Sequence, residues 1–191
     1  MTDEDAQEII DKAKDIMKDI LNRISPDEAL GILRQLAKND KRVEEEIARI
    51  AADIIRDVDT EAICEDVFFV LDGIDVHELW HRSGSTPYGY VSPEEMADEM
   101  IEEELNPFEQ EVFRLIELDM LEEAKLACMG VLKGIYKYSH ESKSEFKDWA
   151  ADVPGECFDH LLAEWEKRCK CEKHIREMDD FIKRECSSWA K

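Results

Sequence analysis

Apolar residues recur along this chain every three or four positions, the interval that turns one face of an α-helix toward a core. Ile9, Ile10, Ala13, Ile16, Met17, Ile20 and Leu21 predict a first helix from about Asp3 to Arg23. Ser25-Pro26-Asp27-Glu28 then restarts the chain as a capping box, with serine at the cap, proline at the first position and glutamate at the third. The helix it opens carries Leu30, Leu33, Leu36 and Ala37 and ends at Asn39-Asp40. Val43, Ile47, Ile50, Ile54, Ile55 and Val58 predict the next helix, and Ile63, Val67, Phe68, Val70 and Leu71 one that starts near Asp59-Thr60 and stops at Gly73.

Residues 72–91 are the longest passage without this rhythm. Asp75 is placed to cap a short helix over Val76 to Arg82, and the SGSTPYGYV segment that follows has the two glycines and proline of turns. Ser92-Pro93-Glu94-Glu95 is a second capping box, opening a helix to about Leu105, and Asn106-Pro107-Phe108-Glu109 predicts another restart. Leu118-Asp119-Met120 breaks the chain before a helix carrying Ala124, Leu126, Ala127, Val131, Leu132, Ile135 and Tyr136. After Val153-Pro154-Gly155 no glycine or proline interrupts Glu156 to Trp189, which leaves one long helix or two with a bend near Lys170. No strand-like alternation competes with this pattern. The expectation is an all-α fold of about ten antiparallel helices in stacked helical hairpins, solenoid-like or an irregular bundle, forming one domain over 1–191 with 1–82 and 92–191 as its natural halves.

Charge changes the picture more than size does. The 191 residues include 48 acidic and 25 basic side chains, a net charge of −23, with an ordinary apolar content of 43%. That field repels phosphate backbones and anionic lipid, so direct nucleic-acid and membrane-surface binding are not expected, whereas a basic protein partner fits the sign. No apolar run approaches the ~20 residues of a membrane span, and the acidic start MTDEDAQEII lacks the order of a signal peptide. The expected compartment is the cytoplasm. Six cysteines at irregular spacing, Cys64, Cys128, Cys157, Cys169, Cys171 and Cys186, read as buried or free thiols rather than a disulfide framework.

Two constellations could carry chemistry. His77-Glu78-Leu79-Trp80-His81 has the H-E-x-x-H spacing that sets two zinc-binding histidines on one helical face, with Glu78 to activate a metal-bound water. The extended pattern wants a third histidine where this chain has Pro87, and the predicted helix is only two turns long. Near the C-terminus, Cys157 with His160 and Cys171 with His174 would make a closed Cys2His2 site if the chain folded back between them. Runs such as Glu44-Glu45-Glu46 and Glu102-Glu103-Glu104 read as solvated faces. No phosphate-cradling glycine loop or nucleophile elbow is present, and no cofactor is implied.

Residues 84–136 resemble a helical region of prokaryotic proteins that bear SWIM-type zinc fingers. The shared pieces are Ser83-Gly84, Gly89-Tyr90-Val91, Pro107-Phe108, Glu123-Ala124, Cys128, Gly130-Val131-Leu132 and Gly134-Ile135-Tyr136. The resemblance implies a helical accessory domain. The finger itself has the form C-x-C followed by C-x-H, and here Cys169-Lys170-Cys171 has no such partner. Leu121 to Tyr136 is similar to one half of a tetratricopeptide repeat in its spacing of small residues.

The reading that follows is a non-enzymatic interaction or scaffold module whose binding residues are Trp80, Tyr88 and Tyr90 in and beside the irregular passage, because aromatics dominate binding surfaces. The alternatives are a zinc-dependent hydrolase built on His77, Glu78 and His81, and a nucleic-acid mimic that holds a basic protein. A homodimer is expected if the C-terminal helix protrudes.

Overall fold

A computed structural model describes residues 23–86 and 89–190 of the chain. The expected first helix lies outside these residues, apart from its end at Arg23. Eight α-helices are present among the described residues, not the ten read from the sequence: α1 (Pro26–Asn39), α2 (Lys41–Arg56), α3 (Thr60–Asp72), α4 (Val76–Arg82), α5 (Pro93–Glu117), α6 (Leu121–Glu141), α7 (Val153–Arg168) and α8 (Glu172–Glu185). A 3-10 turn over Glu145–Trp149 joins α6 to α7. None of the helices is long and apolar enough to cross a membrane.

The helix starts follow their predicted caps. Ser25 and Ser92 both close full capping boxes, and the carboxylates of Asp59 and Asp75 accept from the first-turn amides of α3 and α4. Two expectations fail. The chain does not restart at Pro107, since α5 runs unbroken through it. Proline there removes the amide that the Glu103 carbonyl would accept, at a cost of about 3 kcal/mol in a helix interior. Met96, Met100, Ile101 and Leu105 before it, and Val112 and Leu115 after it, are all buried, so packing holds the helix continuous across the gap. The 84–91 loop is not wholly irregular either: Gly84–Thr86 and Gly89–Val91 pair as a small antiparallel hairpin, β1 and β2. Glycine at both 84 (φ 105°) and 89 (φ 140°) supplies backbone conformations that other residues resist. At the C-terminus the open choice resolves to two helices, broken at Cys169–Cys171.

The chain divides into two compact units, Met1–Ile55 and Arg56–Lys191. In the first, no residue of α1 or α2 up to Ile55 is buried. The second has a full core with α6 at its centre. Eleven of the 21 residues of α6 are buried, distributed around the helix rather than along one stripe, and α3, α5, α7 and α8 all pack on it. Its partner in the tightest contact is α3, which precedes it by some sixty residues and runs parallel to it. Thr60 donates to the Leu126 carbonyl at one end, Lys133 and Lys137 pair with Glu61 and Glu65 in the middle, and Ser142 donates to Asp72 at the other end. Gly130 and Gly134 make this approach possible: a Cβ built on Gly134 would stand 2.6 Å from Val67 Cβ and 2.8 Å from the Cys64 carbonyl oxygen.

Candidate functional site

The segment from Val76 to Val91 carries most of the residues that the sequence singled out. Helix α4 is only two turns long, and two anchors hold it on α5. Leu79 is fully buried, and the Arg82 guanidinium forks onto both carboxylate oxygens of Glu103 at 2.7 Å. That hydrogen bond holds the Glu103 carboxyl below its usual range. With Leu79 facing inward, the adjacent Trp80 is turned outward and 51% exposed. It is not loose: its ring meets Trp149 edge to face, with centroids 4.8 Å apart and planes at 82°. Trp149 ends the 3-10 turn, which is capped by Ser144 and rooted by the fully buried Phe146. On β2, Tyr90 pairs across the hairpin with Ser85 and is 69% exposed. Tyr88 lies outside the described residues.

His77 and His81 are both exposed on α4, and Glu78 lies 3.9 Å from Arg82. No third His, Cys, Asp or Glu joins the two histidines to complete a ligand group among the described residues. The Cys2His2 set does not assemble either. Cys157 and His160 face α5, where burial, together with the Glu109 carboxylate, pushes the Cys157 thiol up to about 12. Cys171 caps the start of α8 without a side-chain bond, and His174, one turn on, reaches Glu122 of α6 at 3.1 Å. A thiol held in its neutral form is a poor zinc ligand.

The structure gathers two clusters that the sequence did not announce. Glu122, His174 and Glu177 bring their ligand atoms within 4.8 Å of one another. Their cation is already supplied by the chain: Lys125, 4% exposed, places its ammonium 2.6 Å from Glu122 and bonds Glu177 as well. Burial pulls the lysine's pKa down, but the two carboxylates outweigh it and leave it raised; the lysine in turn holds both carboxyls below their usual range. The signal in the sequence was a lysine one turn after Glu122, at the head of the small and apolar run Leu126 to Leu132.

Between α5 and α7 lies a cavity of about 420 Å³ lined by Asp98, Glu102, Asn106, Glu109, Val153, Glu156, Cys157 and His160. None of its four carboxylates pairs with a lysine or arginine among the described residues. Burial raises the carboxyl of Glu109, with His160 opposing, and burial plus the neighbouring Glu156 and Glu102 raise that of Asp98. Elsewhere, Ser188 bridges the Tyr136 hydroxyl and His140 Nε2 at 3.1 and 3.0 Å, while Trp189 packs against Tyr136, His140 and Phe158. These contacts pin the end of the chain to α6 and α7. No family model matches the chain, and neither does any curated protein or solved structure.

Proposed function

We propose that this protein is a non-enzymatic interaction module whose second unit captures a basic protein segment at Trp80 and Tyr90, with Tyr88, two residues before Tyr90 in the sequence, as a further contact. The observation that carries the reading is Trp80 itself. A large aromatic left half in water, yet fixed by an edge-to-face partner and by a clamped helix beneath it, is a pre-organised anchor that loses little entropy on binding. Charge supplies the partner's sign: residues 56–191 carry 34 acidic and 16 basic side chains. That excess would steer a basic partner toward the unit and lose strength as salt rises. The nucleic-acid mimic is a narrower form of the same proposal, in which the partner's natural ligand is a phosphate backbone; competition by duplex DNA for the captured protein separates the two.

The test is affinity capture from extract with the full chain, its Trp80→Ala variant and a Tyr88→Ala/Tyr90→Ala variant, read by quantitative mass spectrometry. Loss of a central aromatic anchor is expected to weaken capture of a basic protein by about thirtyfold, the equivalent of ~2 kcal/mol. Identical captured sets from parent and variants would end this reading.

A further inference from the structure

We infer that the first unit is a self-association surface, and that two copies of this chain join through the apolar faces of α1 and α2. Leu30, Leu33 and Leu36 on α1 and Ile50 and Ile54 on α2 are all exposed, Ile54 at 71%. On α2, Val43, Ile47, Ile50 and Ile54 follow one another at intervals of four, three and four, the spacing of a helix–helix seam. The chain cannot bury these stripes by closing α1 onto α2. A single residue, Asp40, separates the helices, fewer than the two to five that an antiparallel helical hairpin needs, and the two are not packed along their lengths. Helices of 14 and 16 residues are marginal in water without such burial.

Charge decides the occupant. In a chain of −23, these two helices are close to neutral: α1 holds two acidic and two basic side chains, and α2 up to Ile55 four acidic and three basic. Most of the charges of α2 are also matched within the helix, where Arg49 bonds both Glu46 and Asp53 and Lys41 faces Glu45. A basic segment would find no excess charge here and would be drawn to residues 56–191 instead. For a second copy the reverse holds. Two strongly acidic molecules can meet across these helices with little net charge on either face. Joining here would also place two Trp80 surfaces in one particle, available for bivalent capture.

Sedimentation equilibrium of the full chain, with and without I47E/I54E, tests the inference. The parent is expected at twice the chain mass and the variant at the chain mass, with an unchanged near-ultraviolet signal from the tryptophans, all of which lie in the second unit. Association of the parent should tighten as NaCl rises from about 50 to 500 mM, because salt screens repulsion between the acidic bodies while the apolar seam is unaffected. Should the variant fail to fold, crosslinking at I50C in the parent background replaces it, with a two-chain product expected. A parent that stays at the chain mass up to about 100 µM, a concentration at which even a weak micromolar dimer would form, overturns the inference. So does a variant that still dimerises, or an association that weakens with salt. A monomeric parent whose α1 and α2 amides are protected from hydrogen exchange would show residues 1–22 covering the stripes instead. None of these outcomes depends on Trp80.

Discussion

Two kinds of charge drawn into the second unit, one buried and one half-buried, are made opposite in effect by their neighbours. Lys125 enters the core with two carboxylates bonded to its ammonium, so the desolvation each charge suffers is offset by its partners. Glu109 has no such cation bonded to it: burial, with His160 opposing and Glu102 adding, raises its carboxyl above the ordinary 4.5. A raised acid is a cost to the fold wherever it is ionised: the penalty is present at neutral pH and fades as pH falls through its folded pKa. Glu109→Gln is therefore expected to raise the midpoint of thermal unfolding at pH 7 by about 2–4 °C, roughly 1 kcal/mol for a domain of this size, with the gain shrinking toward pH 4. Differential scanning calorimetry at the two pH values measures it, and a lower midpoint at pH 7 would show that the ionised carboxylate makes a net stabilising interaction. The Glu122 and Glu177 carboxyls behave in the opposite sense. Held below their usual range, they stabilise above about pH 4.5 and lose that contribution as pH falls further.

At the scale of elements, the governing contact is between α3 and α6, and it depends on the absence of side chains. Alanine would ordinarily improve a helix over glycine by about 1 kcal/mol. At Gly134 the added carbon would meet Val67 and the Cys64 carbonyl well inside contact distance, and at Gly130 it would meet Ile63 and the Thr60 carbonyl at 2.8–2.9 Å. Backbone on the far side cannot move aside cheaply, so the helices must separate. Gly134→Ala is expected to destabilise the second unit by about 1–3 kcal/mol despite its better propensity, read as a lowered urea midpoint. An unchanged or raised midpoint would mean that α3 is free to shift. The short elements show the same dependence on neighbours. A seven-residue helix such as α4 has no standing of its own; Leu79 and the Arg82–Glu103 fork make it a fixed platform for Trp80.

For the molecule as a whole, the acidic excess is the dominant long-range term. The lysines of α6 absorb part of it, with Lys133 spanning Glu61 on α3 and Glu185 on α8, but the surface of residues 56–191 remains strongly negative. Self-repulsion of this kind opposes compaction and is screened within about 10 Å at 0.1 M salt. The thermal midpoint is therefore expected to climb by several degrees between about 10 and 500 mM NaCl, with most of the rise below 200 mM. A falling midpoint would show that the ion pairs matter more to the fold than the excess does.

The sequence by itself determined the helical class, the helix starts and the chain's charge. These are local matters: a capping box or an Asp cap is satisfied within three residues, and periodicity reports a face whatever covers it. Ser25, Asp59, Asp75 and Ser92 were legible for that reason, and so was α4 from Val76 to Arg82. Long-range packing decided the rest. Pro107 carries a local stop signal that continuous burial on both sides overrides. The parallel seating of α3 on α6 joins segments some sixty residues apart, which no periodicity encodes. At the candidate site, the sequence put Trp80 forward as a binding residue and His77 with His81 as an alternative zinc pair, and the surroundings of each came only from the tertiary structure. It set Trp80 against Trp149, while His77 and His81 gathered no third ligand among the described residues. Lys125 with Glu122 and Glu177, and the carboxylates around Glu109, became clusters only through folding, because partners drawn from different helices are neighbours in space and not along the chain.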